Sequence, residues 1–519
     1  MNKNKSDYPY KVDKKLNNIY KNNINIKNKN ILLVYPKYSK TFWSFEYILK
    51  IIGKKAAYPP LGLLSIASML PKNWNKKLVD INVENLSDND IQWADFIFIS
   101  AMIVQKESTL KTIEKIKKFQ KPIVAGGPLF TTSWEDFAEV DHIFLGEAED
   151  TLFLFLDDME KNNLKKFYSA ENFPDITRIP VPSWDLVDIF RYQSMCIQYS
   201  RGCPFNCEFC DVVILNGRHP RTKTREQIIA ELDLLYENNW RGGVFFVDDN
   251  LIGNKQTLKK EILPALIEWQ RKRSYPLSFN TQVSINLADD DELIKLLTDA
   301  GFTTVFIGIE TPDEKSLEEC SKFHNKDRDL VSSVKKLQHS GLEVQGGFIV
   351  GFDNDTPTIF QKQIEFIQKS GIITAMVGLL TAIPKTRLYK RLLEAKRIIK
   401  ESSANNTLIS TLNFIPKMDT KVLVSGYKKI LETIYGPKAY YERIRTFLRE
   451  FKPPKRRVQK IKLFHIKVLV KSFWFLGIKG RGRRYFWRLI IWSLLKYPGL
   501  LPYVIGYSFA GIHFRSLLA

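Results

Sequence analysis

The chain has 519 residues, about two to four domains, and its 44% hydrophobic and 13% aromatic content excludes an intrinsically disordered protein. Five cysteines, the first of them Cys196, and the lack of an apolar N-terminal stretch exclude a secreted, disulfide-stapled protein. The net charge of +22 sits at the two ends: residues 1–30 carry +6 and residues 451–519 carry +15 without an acid. The nearly neutral body between them disfavours nucleic acid as the main ligand.

The N-terminal third predicts a basic tail followed by an α/β domain. Residues 1–30, rich in Lys and Asn, are predicted to be a mobile tail. Over residues 31–165, short apolar runs alternate with helical patterns, which predicts a doubly wound parallel sheet. A helix with Leu110, Ile113 and Ile116 on its buried face is expected between two of the strands. The strands are predicted at 31–35, 78–82, 96–100, 122–125 and 142–145.

Ligands of a doubly wound sheet bind outside the carboxyl ends of its strands. Here those ends are the loops beginning at Pro36, Ser100, Gly126 and Gly146. The tripeptide Gly126-Gly127-Pro128 follows a strand directly and would offer bare backbone to a ligand. A tight turn would need glycine equally, so both interpretations stay open.

The middle of the chain predicts a second α/β domain. Residues 166–194, which contain three prolines, are predicted to be a linker. A new alternating series over residues 195–395 predicts an incomplete (β/α)6 barrel, whose chemistry belongs at the carboxyl ends of its strands. The barrel strands are predicted at 195–199, 244–248, 277–282, 304–310, 344–350 and 374–380.

Residues 396–519 are predicted to form a mostly helical C-terminal domain with a basic, aromatic terminus. The longest uncharged run, residues 497–514, contains two prolines and is at the lower limit of the roughly 17–25 residues that span a bilayer, so a transmembrane helix is disfavoured. Cations interleaved with Trp and Phe fit an in-plane contact with anionic lipid. A helical cap with a solvated basic face is the plain alternative, and stacking on RNA is the third. The residues concerned are Lys455-Arg456-Arg457, Arg481, Arg483-Arg484, Trp474, Trp487 and Trp492.

Three cysteines after the first barrel strand carry the strongest chemical signal. Cys203, Cys207 and Cys210 follow a CxxxCxxC spacing on one predicted loop. Three thiolates can hold three irons of a [4Fe-4S] cluster and leave the fourth iron open to a substrate or cofactor. A zinc site that recruits His219 and a disulfide are the alternatives. Cys196 is predicted to be a buried core residue, as is Cys320.

With Phe209 before its last cysteine, this motif resembles that of the radical S-adenosylmethionine (SAM) enzymes. The resemblance implies that Cys203, Cys207 and Cys210 ligate a [4Fe-4S] cluster. The open iron would bind SAM, and reductive cleavage would yield a 5'-deoxyadenosyl radical that abstracts hydrogen from an unactivated carbon. Residues 347–351 resemble the family's GxIxG strand near the adenine, although Asn354 stands where an acid is often found.

The SAM contacts that the resemblance implies include acids at strand ends. An ammonium group at the mouth of a barrel needs an acceptor such as a carboxylate. A helix cap or a turn is the alternative role for residues 248–250, and Gln282 is a weaker candidate on the same logic. The predicted SAM-binding residues are Phe209, Asp248, Asp249, Glu310, Gly347 and Gly351.

A doubly wound domain before such a barrel resembles the cobalamin-binding subgroup of the superfamily. The matching features, in the subgroup's order, are residues 58–62, residues 126–128 and Gly146-Glu147. No DxHxxG motif occurs, so no histidine is positioned to ligate cobalt from below, and a domain that kept the fold but lost the cofactor is the alternative. The resemblance implies cobalamin contacts from Ser100, Gly126, Gly127, Pro128, Gly146 and Glu147.

The C-terminal region, with Tyr435-Gly436-Pro437, residues 483–487 and the surroundings of His513, resembles the uncharacterised terminal domain of the subgroup that includes the hopanoid methylases. The whole resemblance implies a cobalamin-dependent methylase of an unactivated carbon in a small-molecule or lipid substrate, with an external electron donor. We expect a cytoplasmic protein with peripheral contact to the inner face of the membrane. The alternatives are a radical rearrangement, cyclisation or other bond-forming enzyme, and a non-catalytic cofactor-binding sensor. No catalytic side chain is assigned.

Overall fold

The computed structural model describes residues 27–399, 412–453, 473–480 and 482–518. Most of the predicted tail, the cluster Lys455-Arg456-Arg457 and Arg481 lie outside the described residues. The chain divides into two compact units. Unit one comprises Met1–Ser39, Tyr58–Pro204 and Asp211–Trp240, and unit two comprises Lys40–Ala57, Phe205–Cys210 and Arg241–Ala519.

Unit one is built on a parallel six-stranded sheet. Its strands are β1 (Asn30–Tyr35), β2 (Asn75–Asp80), β3 (Phe96–Ser100), β4 (Ile123–Gly126), β5 (His142–Leu145) and β6 (Phe167–Ser169). Their order is β2-β1-β3-β4-β5-β6, with every neighbouring pair parallel. This order reverses direction at β1/β3, which is the doubly wound pattern, and all five predicted strands are confirmed. Strand β6 was not predicted and lies in the predicted linker.

Helices follow the strands of unit one and cover the sheet. The helix between β3 and β4 buries Ile113 and Ile116, as predicted, together with Thr109 and Thr112. The predicted burial of Leu110 is wrong: this side chain is 43% exposed, because it lies about 120° around the helix from Ile116. The helices are Leu61–Met69, Asp88–Trp93, Lys106–Lys117, Pro128–Ser133, Thr151–Glu160, Val212–Asn216 and Arg225–Glu237.

Unit one also contains the chain on both sides of the cysteine motif. Strand β7 (Ser194–Ile197) holds Cys196, which is 3% exposed and confirms the prediction of a core residue. Strands β8 (Ser200–Arg201) and β9 (Arg221–Thr222) pair antiparallel. This pair brackets the stretch of sequence that contains the three cysteines and the helix Val212–Asn216.

Unit two contains five parallel strands, which are neighbours in chain order. They are β10 (Gly243–Phe246), β11 (Ser278–Gln282), β12 (Phe302–Glu310), β13 (Glu343–Val350) and β14 (Ala375–Leu379). Together with β7, they confirm the six strands predicted for the barrel. Two parallel α/β sheets followed by a helical C-terminal part are the predicted fold class.

Helices alternate with the strands of unit two and continue to its C-terminal end. Within the described ranges, no helix is both long enough and apolar enough to cross a membrane. The helices are Glu46–Ile52, Lys255–Thr257, Leu258–Ile262, Leu263–Lys272, Asp291–Ala300, Glu314–Glu319, Leu330–His339, Ile359–Ser370, Arg387–Glu394, Thr420–Tyr435, Pro437–Glu450, Phe473–Ile478, Arg483–Lys496 and Leu501–Leu518.

The segment Lys40–Ala57 packs in unit two although the chain on both sides of it belongs to unit one. The ring of Trp43 lies 5.6 Å from that of Phe306 on β12, and its Nε1 lies 2.9 Å from Met376 Sδ on β14. The ring of Phe42 stacks on Phe514 at 4.6 Å. An early segment of the chain therefore completes the aromatic core of unit two.

Candidate functional site

A cavity of about 270 Å³ lies at the carboxyl edge of the unit-one sheet. All six residues predicted to contact cobalamin, Ser100, Gly126, Gly127, Pro128, Gly146 and Glu147, line it. Gly62 of the predicted 58–62 feature lines it too, whereas Pro36 is not among its lining residues. The sequence did not single out Ser65, Thr131, Glu149, Arg201 and Asn216, which also line the cavity.

Gly127 is required at the floor of this cavity. Its φ is +95°, and a Cβ there would lie 2.8 Å from Ser100 Oγ and 3.2 Å from the carbonyl oxygen of Ala101. The same carbonyl accepts a hydrogen bond from Leu129 N at 3.0 Å, so it cannot move away. Gly127 thus brings two loops closer together than any other residue would allow.

Thr131 ties the two glycine loops of the cavity together. Its hydroxyl donates to the carbonyl oxygen of Gly127 and accepts from the amide of Gly146, both at 3.0 Å. Gly146 has φ +85°, and a Cβ added there would meet nothing within 4 Å. The absent side chain at Gly146 therefore leaves open space in the cavity.

Glu147 lies in an ion-pair network. Arg201 Nη1 lies 2.6 Å from Glu147 Oε2 and 2.6 Å from Glu149 Oε1. Arg221 forms a second, two-armed pair with Glu147 and also donates to the carbonyl oxygen of Pro174 at 2.8 Å. Because Arg201 directly precedes Gly202-Cys203, this network links the cavity wall to the start of the cysteine motif.

We expect Glu147→Ala to lower the free energy of unfolding by about 3 kcal/mol, because it leaves two largely buried guanidinium groups short of a carboxylate. Chemical denaturation would measure this change, with equal m-values for the parent and the variant as the condition for comparing them. Glu107→Ala is the control, since the Glu107–Lys111 pair is exposed, and we expect no measurable change there. Equal stability of the Glu147 variant and the parent would contradict a structural role for the network.

The three cysteines of the motif are half-buried thiols, and none of the five cysteines is in a disulfide. In unit one, Cys203 N donates to the carbonyl oxygen of Gly217 at 3.1 Å. In unit two, Cys210 N donates to the carbonyl oxygen of Cys207 at 3.2 Å. Cys320, as predicted, is buried.

Within the described ranges, no three His, Cys, Asp or Glu side chains converge closely enough to hold a single metal ion. Three thiols within eight residues are a donor set that fits a [4Fe-4S] cluster, with three irons held by thiolates and the fourth left open.

Phe209 and Gly351, two predicted SAM contacts, reach neighbouring positions in unit two. The ring of Phe209 lies 6.3 Å from that of Phe352, which directly follows Gly351. Gly351 has φ +112°, and its amide donates to Asp355 Oδ2 at 2.8 Å. Burial raises the pKa of Asp355 to about 6. Asp355, one residue after Asn354, is thus a buried acid that holds the turn at Gly351, and the sequence did not single it out.

Gly347 on β13 allows close packing inside the sheet, since a Cβ there would lie 2.9 Å from the ring of Phe306. After β10, Asp248 is fully buried and Asp249 is half-buried. The side chain of the next residue, Asn250, bonds to Ser284. Both aspartates therefore lie at the carboxyl end of a strand, where they were predicted.

Glu310, the third acid predicted to accept the SAM ammonium, already has an ammonium partner. Its carboxylate pairs with Lys322, a buried side chain. Burial alone would lower the pKa of Lys322, but the Glu310 carboxylate outweighs it, so the pKa rises. Glu310 has φ +63°, and Gln363 Nε2 donates to its carbonyl oxygen at 3.1 Å. Glu310 thus helps to shape the end of β12.

A pocketed doubly wound unit, a CxxxCxxC motif and the parallel strands of unit two together define a radical SAM protein with a cobalamin-binding domain. Family models agree with this class: "Radical SAM superfamily" matches residues 197–367, "B12 binding domain" residues 52–155 and "Domain of unknown function (DUF4070)" residues 386–519. The cofactors of these families are a [4Fe-4S] cluster, SAM and cobalamin, as predicted.

Curated relatives cover nearly the whole chain. An uncharacterised methyltransferase of Synechocystis sp. is 40% identical over 93% of this chain and 91% of its own length. The hopanoid C-2 methylase of Rhodopseudomonas palustris is 33% identical over 90% of each chain. The protein therefore belongs to the cobalamin-dependent radical SAM methyltransferases, the family that contains this methylase.

Solved structures agree on the fold. The cobalamin-dependent radical SAM enzyme OxsB has a TM-score of 0.62 at 17% identity, with 94% of this chain and 84% of OxsB covered. The radical SAM methyltransferase TsrM from Kitasatospora setae has a TM-score of 0.61 at 12% identity, with 94% of this chain and 99% of TsrM covered.

Proposed function

We propose that the protein methylates an unactivated carbon of a lipid-class substrate. The observation that carries the proposal is the unit-one cavity, because all six residues predicted for cobalamin line it and the missing side chain at Gly146 leaves it open. The 33% identical hopanoid methylase acts, by its name, on a lipid, which supports the substrate class. When bound, the cofactors supply a 5'-deoxyadenosyl radical that removes hydrogen and a methyl group that replaces it.

The protein's own residues bind and orient in this proposal. Cys203, Cys207 and Cys210 would hold three irons and leave one open. Asp248 and Asp249 would accept the ammonium of SAM at the carboxyl end of β10, as their position at a strand end supports. Phe209, Glu310, Gly347 and Gly351 would shape the rest of the SAM site. Ser100, Gly126, Gly127, Pro128, Gly146 and Glu147 would surround cobalamin, and no histidine occurs among the described residues that line the cavity.

Methyl tracing tests the reaction. We expect anaerobic incubation of the reconstituted enzyme with methyl-deuterated SAM, a reductant and a polycyclic lipid to give deuterated methyl product together with 5'-deoxyadenosine. Normal 5'-deoxyadenosine formation without a labelled methyl group would favour rearrangement, cyclisation or another bond-forming reaction. No cleavage of SAM with any substrate would favour a sensor.

The C-terminal helices support a peripheral membrane contact, which we propose as the route to a lipid substrate. Helix Arg483–Lys496 buries Phe486, Leu489 and Ile490 on one face and exposes apolar side chains on the other. The basic side chains Arg483, Arg484, Arg488 and Lys496 are also exposed. An apolar face flanked by cations fits the headgroup region of an anionic bilayer. We call the outward apolar residues the outer stripe, and they are Trp474, Phe475, Ile478, Trp487, Ile491, Leu494 and Leu495.

We expect the full-length protein to float with vesicles of anionic lipid and to detach at high salt, because the outer stripe inserts and the cations meet headgroup charge. The double variant Ile491→Glu/Leu495→Glu should bind at least about tenfold more weakly, since two apolar side chains no longer insert into the bilayer. Leu110→Glu/Val422→Glu is the matched control, with the same charge change at exposed apolar positions elsewhere. Equal flotation of both double variants would assign the contact to another surface.

A further inference from the structure

The first helix of the C-terminal domain of unknown function contacts the cysteine loop in unit two. Helix Arg387–Glu394 begins after Thr386, where the family match also begins. The amide of Leu388, in its first turn, donates to the carbonyl oxygen of Glu208 at 2.9 Å, and Arg387 Nη1 donates to that of Asn206 at 3.0 Å. Amides in a first turn have no partner within their helix, so this loop completes the helix.

Glu208, which stands between Cys207 and Phe209, is anchored at all of its polar groups. Its amide donates to the carbonyl oxygen of Cys320 at 2.9 Å. Its carboxylate accepts two parallel hydrogen bonds from Arg391, from Nε at 2.7 Å and from Nη2 at 2.9 Å. The Glu208 side chain is only 9% exposed, so this charge depends on Arg391.

Arg391 also holds the loop that follows β13. Its Nη1 lies 2.9 Å from Asp353 Oδ2, and its Nη2 lies 3.4 Å from Glu319 Oε1. Glu319 in turn accepts the amides of Asp353 and Asn354, both at 2.9 Å. One guanidinium therefore joins three carboxylates that are each about nine-tenths buried.

We propose that Arg391 is a positioning residue that fixes the backbone between Cys207 and Phe209 in register with the loop after Gly351. The proposal rests on the proposed function, since it matters to catalysis only if these cysteines hold the cluster and Phe209 and Gly351 contact SAM. It gives the domain of unknown function a defined role, which is to brace the cluster loop. The planar, forked guanidinium is what this role needs, because a lysine ammonium cannot make two parallel bonds to one carboxylate and still reach two others.

Hydrogen exchange of the metal-free protein tests the brace without any cofactor. In Arg391→Lys we expect amides in residues 205–212 to exchange about tenfold faster or more, because the loop opens locally more often. Arg328→Lys is the matched control: Arg328 makes the same two-armed pair with Asp289 in unit two, at 2.9 and 2.8 Å, and its loss should leave residues 205–212 unchanged. Unchanged exchange of residues 205–212 in Arg391→Lys would overturn the proposal.

Glu208→Gln tests whether Arg391 acts through this carboxylate, and it remains informative if Arg391→Lys fails to fold. We expect Glu208→Gln to accelerate exchange of the same amides, and the double variant to add little to either single change. Additive effects would overturn a shared mechanism.

Reconstituted protein then separates this inference from the proposed function. Parent protein without iron would defeat the cluster assignment and leave the exchange result standing. With iron bound, we expect Arg391→Lys to change the electron paramagnetic resonance spectrum of the reduced cluster with SAM and to weaken SAM binding about tenfold, while Arg328→Lys changes neither. If Arg391→Lys keeps the spectrum and the SAM affinity of the parent protein, Arg391 has only a structural role.

Discussion

Cys207→Ala is expected to abolish iron binding and all 5'-deoxyadenosine formation. The cluster needs three protein ligands and this variant keeps only two thiolates, so the cluster has no stable site. The fold should survive, because Cys207 is half-buried and its hydrogen bond from Cys210 uses the backbone carbonyl, which alanine retains. Iron and sulfide per chain after anaerobic reconstitution, with 5'-deoxyadenosine measured on the same sample, would check this expectation.

Cys196→Ala is the control for this experiment. Cys196 lies in the core of unit one and is 3% exposed, so its thiol cannot ligate a solvent-accessible cluster. We expect this variant to keep about four irons per chain. Four irons per chain in Cys207→Ala, or loss of iron in Cys196→Ala, would contradict the assignment of the three cysteines as cluster ligands.

Gly146→Leu is expected to weaken cobalamin binding strongly while leaving iron binding intact. The cavity is open at Gly146, where a Cβ meets nothing within 4 Å, so a leucine side chain would fill space that the corrin needs. Overpacking costs about 1–3 kcal/mol, which corresponds to an affinity loss of about 5- to 150-fold. Absorption spectra of reconstituted protein, titrated with hydroxocobalamin, would measure the change.

The strain of the substitution must be separated from its effect on the cavity. A leucine at φ +85° costs about 1–2 kcal/mol wherever it stands. Gly53→Leu provides the match, because Gly53 has φ +73°, also has nothing within 4 Å of a Cβ, and does not line the cavity. Similar destabilisation of both variants with loss of cobalamin only from Gly146→Leu is the expected pattern; parallel loss in both would show that strain, and not space, controls binding.

The sequence predicted the elements because apolar runs of four to eight residues mark buried parallel strands whatever their tertiary partners. Strand β6 was not predicted because Phe167-Tyr168-Ser169 is too short to show a hydrophobic pattern. The site residues that the sequence predicted belong to short motifs. Three cysteines within eight residues, or glycines directly after strands, are compatible with only a few kinds of site.

Side chains that act through distant partners could not be predicted. Glu147 was predicted as a cobalamin contact, and nothing in its surroundings indicates that Arg221, 74 residues away, shares its carboxylate. Glu208 and Arg391 are separated by 183 residues, and each looks like an ordinary surface charge in the sequence. Charged pairs of this kind arise from the fold itself, so their partners become visible only in three dimensions.

The position of Phe42 and Trp43 has a consequence for biosynthesis. The carbonyl oxygen of Phe42 accepts a hydrogen bond from His513 Nε2 at 3.0 Å, across 471 residues of chain. Unit two therefore cannot finish its aromatic core until the ribosome has made His513, so Phe42 must wait while the next 471 residues are synthesised. Contacts of such sequence separation close slowly, and the waiting apolar segment is open to aggregation meanwhile. We therefore expect slow maturation, and poor recovery of fragments that lack residues 40–57.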